Sequence, residues 1–246
     1  MKKILKLVLV KLISFCVNEI LNTAEKRLRF NPLQFYRLMQ AYESYKEYAP
    51  QLESTLIFPE RSELRIFVIE RIIKHFGADK LKEMLLLEFG VASGNSLRHF
   101  SSLLHLQAPL AMINGFDSFM GLSEDWLGMP SGRKAGAYAV KNIPKFDNNV
   151  RLNIGLVEDI VPGFVSNNSS RSIAFAHLDM DIYTPCKFTL KEIKPLLVSG
   201  SLLLFDDFYG EGGWKNNDNK AFSEVFSPSE YKFVAFGKYQ ALVEIL

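Results

Sequence analysis

The chain of 246 residues has only two cysteines, Cys16 and Cys186, far apart in the sequence. That scarcity excludes a disulfide framework and any Cys/His zinc spacing, and it points to a reducing, cytosolic compartment. An excess of one charge is also lacking: 29 basic against 27 acidic side chains leave a formal net charge of +2. A nucleic-acid binder would carry a basic stripe and a larger surplus, so no nucleic-acid partner is expected. No linker rich in Gly, Pro or Ser, no low-complexity stretch and no internal repeat interrupts the chain. No apolar run reaches the roughly 20 residues that span a bilayer. The nearest is Met1 to Val17 (MKKILKLVLVKLISFCV), which Lys6 and Lys11 break. It reads as a helix packed on the body or on a second copy of the chain. Peripheral membrane contact and a cleaved signal are the alternatives.

What is present is periodicity of two kinds. Residues 1–80 read as a helical N-terminal cap: Ile20, Leu21, Ala24 and Leu28, then Leu33, Phe35, Leu38, Met39 and Tyr42, recur at intervals of three and four. Asn31-Pro32 separates the two segments, because a residue before proline is pushed out of helical geometry. A further helix runs from about Arg61 to Phe76, and Gly77 would end it. From residue 81 to 246 short apolar runs alternate with helical stretches. Strands are expected at Met84–Leu87, Met112–Phe116, Val150–Ile154, Ile173–Leu178 and Ser201–Phe205. Helices are expected near Ser96–Leu106, from about Ile160, and at Tyr183–Leu197. Alternation of this kind calls for an α/β domain with a Rossmann-like parallel sheet and right-handed crossovers. Tyr231–Phe236 and Tyr239–Leu246, joined at Gly237-Lys238, read as a hairpin, so the last strand should run antiparallel.

Chemistry-bearing residues fall at the carboxyl ends of these strands, where open α/β sheets bind ligands. Glu88-Phe89-Gly90-Val91-Ala92-Ser93-Gly94-Asn95-Ser96 closes one strand and opens a helix. It lacks the G-x-G-x-x-G of dinucleotide sites. Its acid-x-Gly-x-x-x-Gly spacing suits a smaller nucleotide-type ligand with an amino-acid tail. Gly90 and Gly94 would let the ligand approach the backbone, Glu88 would hold the tail's ammonium, and Ser96 its carboxylate. A purely structural turn is the alternative. Asp117, with Ser118 beside it, ends the second strand and can accept bonds from ribose hydroxyls or cap the following turn. Glu158, after the third strand, is placed either for an adenine amino group or for solvent.

Two acidic clusters complete the pattern: Asp179-Met180-Asp181 and Asp206-Asp207, each directly after a strand. Carboxylates converging there repel unless protonated or neutralised, and such hard oxygen donors suit Mg²⁺ or a similar ion. Neighbouring side chains on a strand point to opposite faces, so Asp206 and Asp207 share an ion only if the chain turns at Phe208-Tyr209-Gly210. Helix caps and solvated loop acids are the plainer reading. His177 reads as a packed core histidine rather than a base. Trp126 and Trp214 read as pocket walls or as core anchors.

The segments EFGVASGNS, GFDSFMGLSEDW, GLVEDIVPGF, AHLDMDIYTP and LLLFDDFYG, in this order over about residues 54 to 240, resemble the macrocin O-methyltransferase family of antibiotic-sugar methyltransferases. The resemblance implies a seven-stranded, mostly parallel sheet with its last strand antiparallel, S-adenosyl-L-methionine as methyl donor, and a small hydroxyl acceptor, glycosidic in type. It further implies that Asp179, Asp206 and Asp207 hold Mg²⁺ or a similar divalent cation and that Asp179 takes the acceptor's proton. Catechol O-methyltransferase, a more distant relative, suggests the same reading of Glu158. The pocket lysine of catechol and caffeoyl enzymes is missing, since Ile182 follows Asp181; this favours a sugar or other vicinal diol. A homo-oligomer is compatible with all of this. The rival readings are a donor-binding module without catalysis and an NAD-dependent sugar-modifying enzyme.

Overall fold

The computed structural model describes residues 32–128 and 133–246. The readings made for Met1–Val17 and for Ile20–Leu28 therefore lie outside the described residues. The described chain opens with helices α1 (Pro32–Glu47) and α2 (Ala49–Ser54), a two-residue strand β1 (Leu56–Ile57) and helix α3 (Arg61–Phe76). Then follow β2 (Leu85–Phe89), α4 (Asn95–Gln107), β3 (Ile113–Asp117), β4 (Val150–Ile154), α5 (Val157–Asn167) and β5 (Ile173–Leu178). Helix α6 (Tyr183–Ile193), β6 (Leu197–Phe205), α7 (Asp218–Val225) and the hairpin β7 (Tyr231–Phe236) and β8 (Ala241–Ile245) complete it. Among the described residues no helix is long and apolar enough to cross a membrane.

The strands form one eight-stranded sheet in the order β1-β7-β8-β6-β5-β2-β3-β4, with β8 alone antiparallel to its neighbours. The Rossmann-like α/β fold with its reversed last strand is as the sequence implies. The eighth strand was not expected: Leu56 and Ile57 pair in parallel with Ala235 and Phe236, a stretch too short for any hydrophobic pattern to reveal. Other boundaries moved by up to four residues. Helix α6 stops at Ile193, and β6 starts at Leu197, four residues before the expected Ser201. Helix α5 begins at Val157, a turn ahead of Ile160. Pro162 therefore sits inside it, where the missing N–H removes a single hydrogen bond.

Each face of the sheet carries its own core. On β2, Leu85, Leu87 and Phe89 face helices α5–α7, while Leu86 faces the side that also buries Leu64, Val68, Ile69 and Ile72 of α3. Those α3 positions recur at helical spacing, and the Gly77 N–H closes the helix on Ile73 O, as predicted. Burying each such side chain stabilises the fold by roughly 1.5–3 kcal/mol. Residues 56–76, assigned by sequence to the cap, are thus built into the sheet and its core. Alternation of side chains also fixes where the polar positions of the strands point, and this decides the site.

Candidate active site

Backbone hydrogen bonds carry the sheet ladder one step past the strands: Gly90 N–H donates to Phe116 O, Asp179 N–H to Phe89 O, and Asp206 N–H to Leu178 O. The tips of β2, β3, β5 and β6 therefore end at one level. Between the parallel strands β2 and β5 the order of successive strands reverses, and the crevice that opens there is a cavity of about 460 Å³. Gly90 is required at its floor: φ is +88°, and a Cβ would collide with the carbonyl oxygen of Asp179. Gly90, Asp117, Ser118 and Glu158 line one half of the cavity; Asp179, Asp181, Asp206 and Asp207 line the other.

Asp117 caps the turn that follows it and remains open to the cavity. Its carboxylate accepts the N–H of Ala92 at 2.7 Å and of Phe119 at 2.6 Å, pinning two loops, and it still faces the cavity. Each carboxylate oxygen has a further lone pair to offer a hydroxyl donor. Trp126 is a cavity wall, whereas Trp214 is a core anchor, its indole N–H on Gln40 O at 3.0 Å. The β3–β4 connection folds over the mouth and is fastened to α6 through Glu124, which accepts the Thr184 backbone N–H and hydroxyl at 3.2 and 3.1 Å.

Three residues of the sequence-predicted donor cradle are placed elsewhere. Glu88 is fully buried, accepts the Ser96 hydroxyl at 2.8 Å and lies 3.2 Å from His177 Nδ1. Glu88 and Ser96 therefore satisfy one another and do not line the cavity. The cause is parity: Glu88 follows Leu87 and so faces α3 and α4, away from the crevice. Gly94 packs on the Phe146 ring as the left-handed residue that opens α4.

His177 is the core histidine the sequence suggested, in a charged form. Burial alone would lower its pKa, but Asp206 and Glu88 outweigh it and hold it at about 10. Nε2 is 3.6 Å from Asp206 Oδ1. Arg61, at the start of α3, reaches Asp206 Oδ2 at 3.0 Å, and the Gln240 amide donates to Oδ1. Burial would raise the pKa of Asp206, yet His177, Arg61 and Gln240 together bring it below the ordinary value.

Asp207 has the opposite fate. It turns to the other side, against Asp181, and burial with the adjacent Asp206 charge pushes its pKa to about 7. Asp179 and Asp181 are likewise raised well above the usual carboxylate range, first by burial and then by their acidic neighbours. The trio Asp179, Asp206 and Asp207 consequently splits. Ligand atoms of Asp179, Asp181 and Asp207 lie within 4.8 Å of one another, and those of His177, Asp179 and Asp206 form a second cluster. Asp179 belongs to both. Asp181, unassigned from sequence, is brought in by a left-handed backbone, φ +65°, uncommon outside glycine. Arg61, Tyr138, Glu211 and Tyr239 also reach the cavity, none of them singled out individually by the sequence.

Three buried carboxylates with so little compensation fit a hard divalent cation, which would remove the repulsion that burial magnifies. Residues 87–208, which carry the tips of β2 through β6, match the family model described as a methyltransferase domain. This is a methyltransferase domain of the S-adenosylmethionine-dependent class. No curated protein matches the chain. Among solved structures, the calicheamicin methyltransferase CalS11 is similar at 22% identity with a TM-score of 0.61, covering 92% of this chain and 91% of that one. An apo form of CalS11, described as a TDP-rhamnose 3'-O-methyltransferase, aligns at 21% identity over 92% of this methyltransferase and 93% of that chain, TM-score 0.56. The O-methyltransferase NovP aligns at 19% over 75% and 79%, TM-score 0.54. At these identities the likeness is one of fold.

Proposed function

We propose that the protein transfers the methyl group of S-adenosylmethionine to a hydroxyl of a sugar or other vicinal diol, with a divalent cation such as Mg²⁺ at the acids, in the manner of macrocin-type O-methyltransferases. The observation that carries the reading is one cavity lined from the β2–β4 side by Gly90, Asp117 and Glu158 and from the β5–β6 side by four aspartates, with Gly90 against the Asp179 carbonyl where the two sides meet. Asp117 receives the ribose hydroxyls, with Ser118 beside it, and Glu158 the adenine amino group; the amino-acid tail runs along Gly90 to Ser93 rather than to Glu88 and Ser96. Asp179 and Asp207 hold the ion, flanked by Asp181 and Asp206. When bound, such an ion acts as a Lewis acid that lowers the pKa of a hydroxyl it touches. Asp179 accepts the proton of the hydroxyl. Trp126 and Tyr138 are walls of the same cavity. Much of the acceleration comes from holding two reactants in line, up to about 7–11 kcal/mol.

The reading places the enzyme in the cytosol, with residues 56–76 belonging to the catalytic domain and the helices before them as its cap. Calorimetric titration with S-adenosylmethionine, with and without Mg²⁺, followed by a glycoside screen, tests it. Donor binding in both conditions and Mg²⁺-dependent formation of S-adenosylhomocysteine are expected. A donor that does not bind, or turnover indifferent to a chelator, would sink it.

A further inference from the structure

The proposed chemistry leaves one carboxylate of the cavity without a task. Glu211 lies in the loop after β6, beyond Asp206 and Asp207, partly buried in the wall. Asp117 is held by backbone N–H groups, and Asp206 by His177, Arg61 and Gln240. Asp179, Asp181 and Asp207 form a ligand cluster. Glu211 has none of these: among the described residues it accepts no hydrogen bond, forms no ion pair and belongs to neither cluster. Arg61 and Lys238 are the cations whose fields reach it, and neither comes within the 4.0 Å of an ion pair. Glu211 is half-buried, and a carboxylate partly withdrawn from water without a partner gains from a ligand cation.

The cavity as a whole points the same way. Seven carboxylates line it against a single guanidinium, Arg61, which is already committed to Asp206. A divalent ion and a donor of net charge +1 leave this lining formally negative, so an anionic acceptor meets repulsion that low dielectric strengthens. Trp126, Tyr138 and Tyr239 supply aromatic walls for a sugar ring, with Arg133 and Lys238 already over the rings of Tyr138 and Tyr239.

Resting on the methyltransferase reading, we propose that the acceptor is a sugar bearing a protonated amine, that Glu211 receives its ammonium, and that sugars still joined to a nucleoside diphosphate are excluded. This would set the enzyme apart from the TDP-rhamnose methyltransferase whose fold it shares. Its place in a reaction sequence follows: after a glycosyl transfer that has removed the nucleotide.

The test uses the full chain loaded with S-adenosylhomocysteine and Mg²⁺, titrated calorimetrically with methyl glycosides of glucosamine, N-acetylglucosamine and glucuronic acid, and with TDP-rhamnose. The amine should bind about tenfold more tightly than its uncharged N-acetyl counterpart, as a charge-assisted hydrogen bond requires, and the two anions should not bind at millimolar concentration. Glu211→Gln should bring the amine within about twofold of the N-acetyl sugar. TDP-rhamnose or the glucuronide binding as well as the amine, an amine preference that survives Glu211→Gln, or no glycoside binding at all would each overturn the proposal. Failure of S-adenosylhomocysteine itself to bind would instead overturn the methyltransferase reading beneath it.

Discussion

Asp206 and Asp207 are adjacent in sequence and sit in opposite electrostatic worlds. Asp206 faces α3, where His177, Arg61 and Gln240 compensate it so fully that it stays ionised despite burial. Asp207 faces α6 and α7, joins Asp179 and Asp181, and is pushed toward its protonated form. One side of the sheet tip is thus a finished ion network, stable as it stands, and the other is an unfinished one whose completion must come from a ligand. The difference teaches that acidity alone does not mark a reaction centre; lack of compensation does.

The largest effect that would break this contrast is expected at the acid common to both sides. Asp179→Asn should lower turnover by about a thousandfold or more, as loss of both a metal ligand and the proton acceptor demands. Donor affinity, set across the cavity by Asp117, should stay within a few-fold; equal loss of both, read by single-turnover kinetics and calorimetry, would show that the two halves are not separable. On the compensated side the expected damage is to folding instead. His177→Gln leaves Glu88 and Asp206 buried without their shared cation and should cost about 3–5 kcal/mol in urea unfolding. A loss under about 1 kcal/mol would mean that Arg61 and Gln240 suffice.

The smallest effect concerns pH. The folded pKa of Asp207, about 7, lies above the 3.8 of a free aspartate, so the folded chain holds the proton longer than the unfolded one does. The stability this contributes is fully present below about pH 4 and is lost as pH rises through 7. Asp179 and Asp181, raised in the same direction, add to the slope. In chelator, Tm should therefore fall over that interval by a few degrees more than in Mg²⁺, where the carboxylates are neutralised. Identical Tm profiles with and without Mg²⁺ would argue that the cluster holds no ion.

Much of this was legible before any coordinates. The strands declare themselves as apolar runs because both faces are covered, and Asp117, Asp179, Asp206 and Asp207 are conspicuous because each directly follows such a run. Glu88 and Ser96 misled because the spacing of a motif does not say which face of the sheet its acid joins; only the pairing of β2 between β5 and β3 settles that. Arg61 and Glu211 were silent for a different reason. Their importance comes from segments far apart in sequence, an α3 N-terminus and a loop after β6, meeting over one carboxylate cluster. The left-handed turn at Asp181 is equally invisible, since aspartate there looks like any loop acid.

The reversed strand has a consequence for biosynthesis. Because β8 inserts between β6 and β7, residues 240–245 arrive after every other part of the catalytic rim has been translated, and Gln240 is what finally grips Asp206. Until then the growing polypeptide carries an open seam in mid-sheet, a bare row of β6 donors and acceptors available to any passing strand. Maturation of the catalytic acids and closure of that sticky seam are therefore one event, so that a nascent chain cannot be both competent and unsealed.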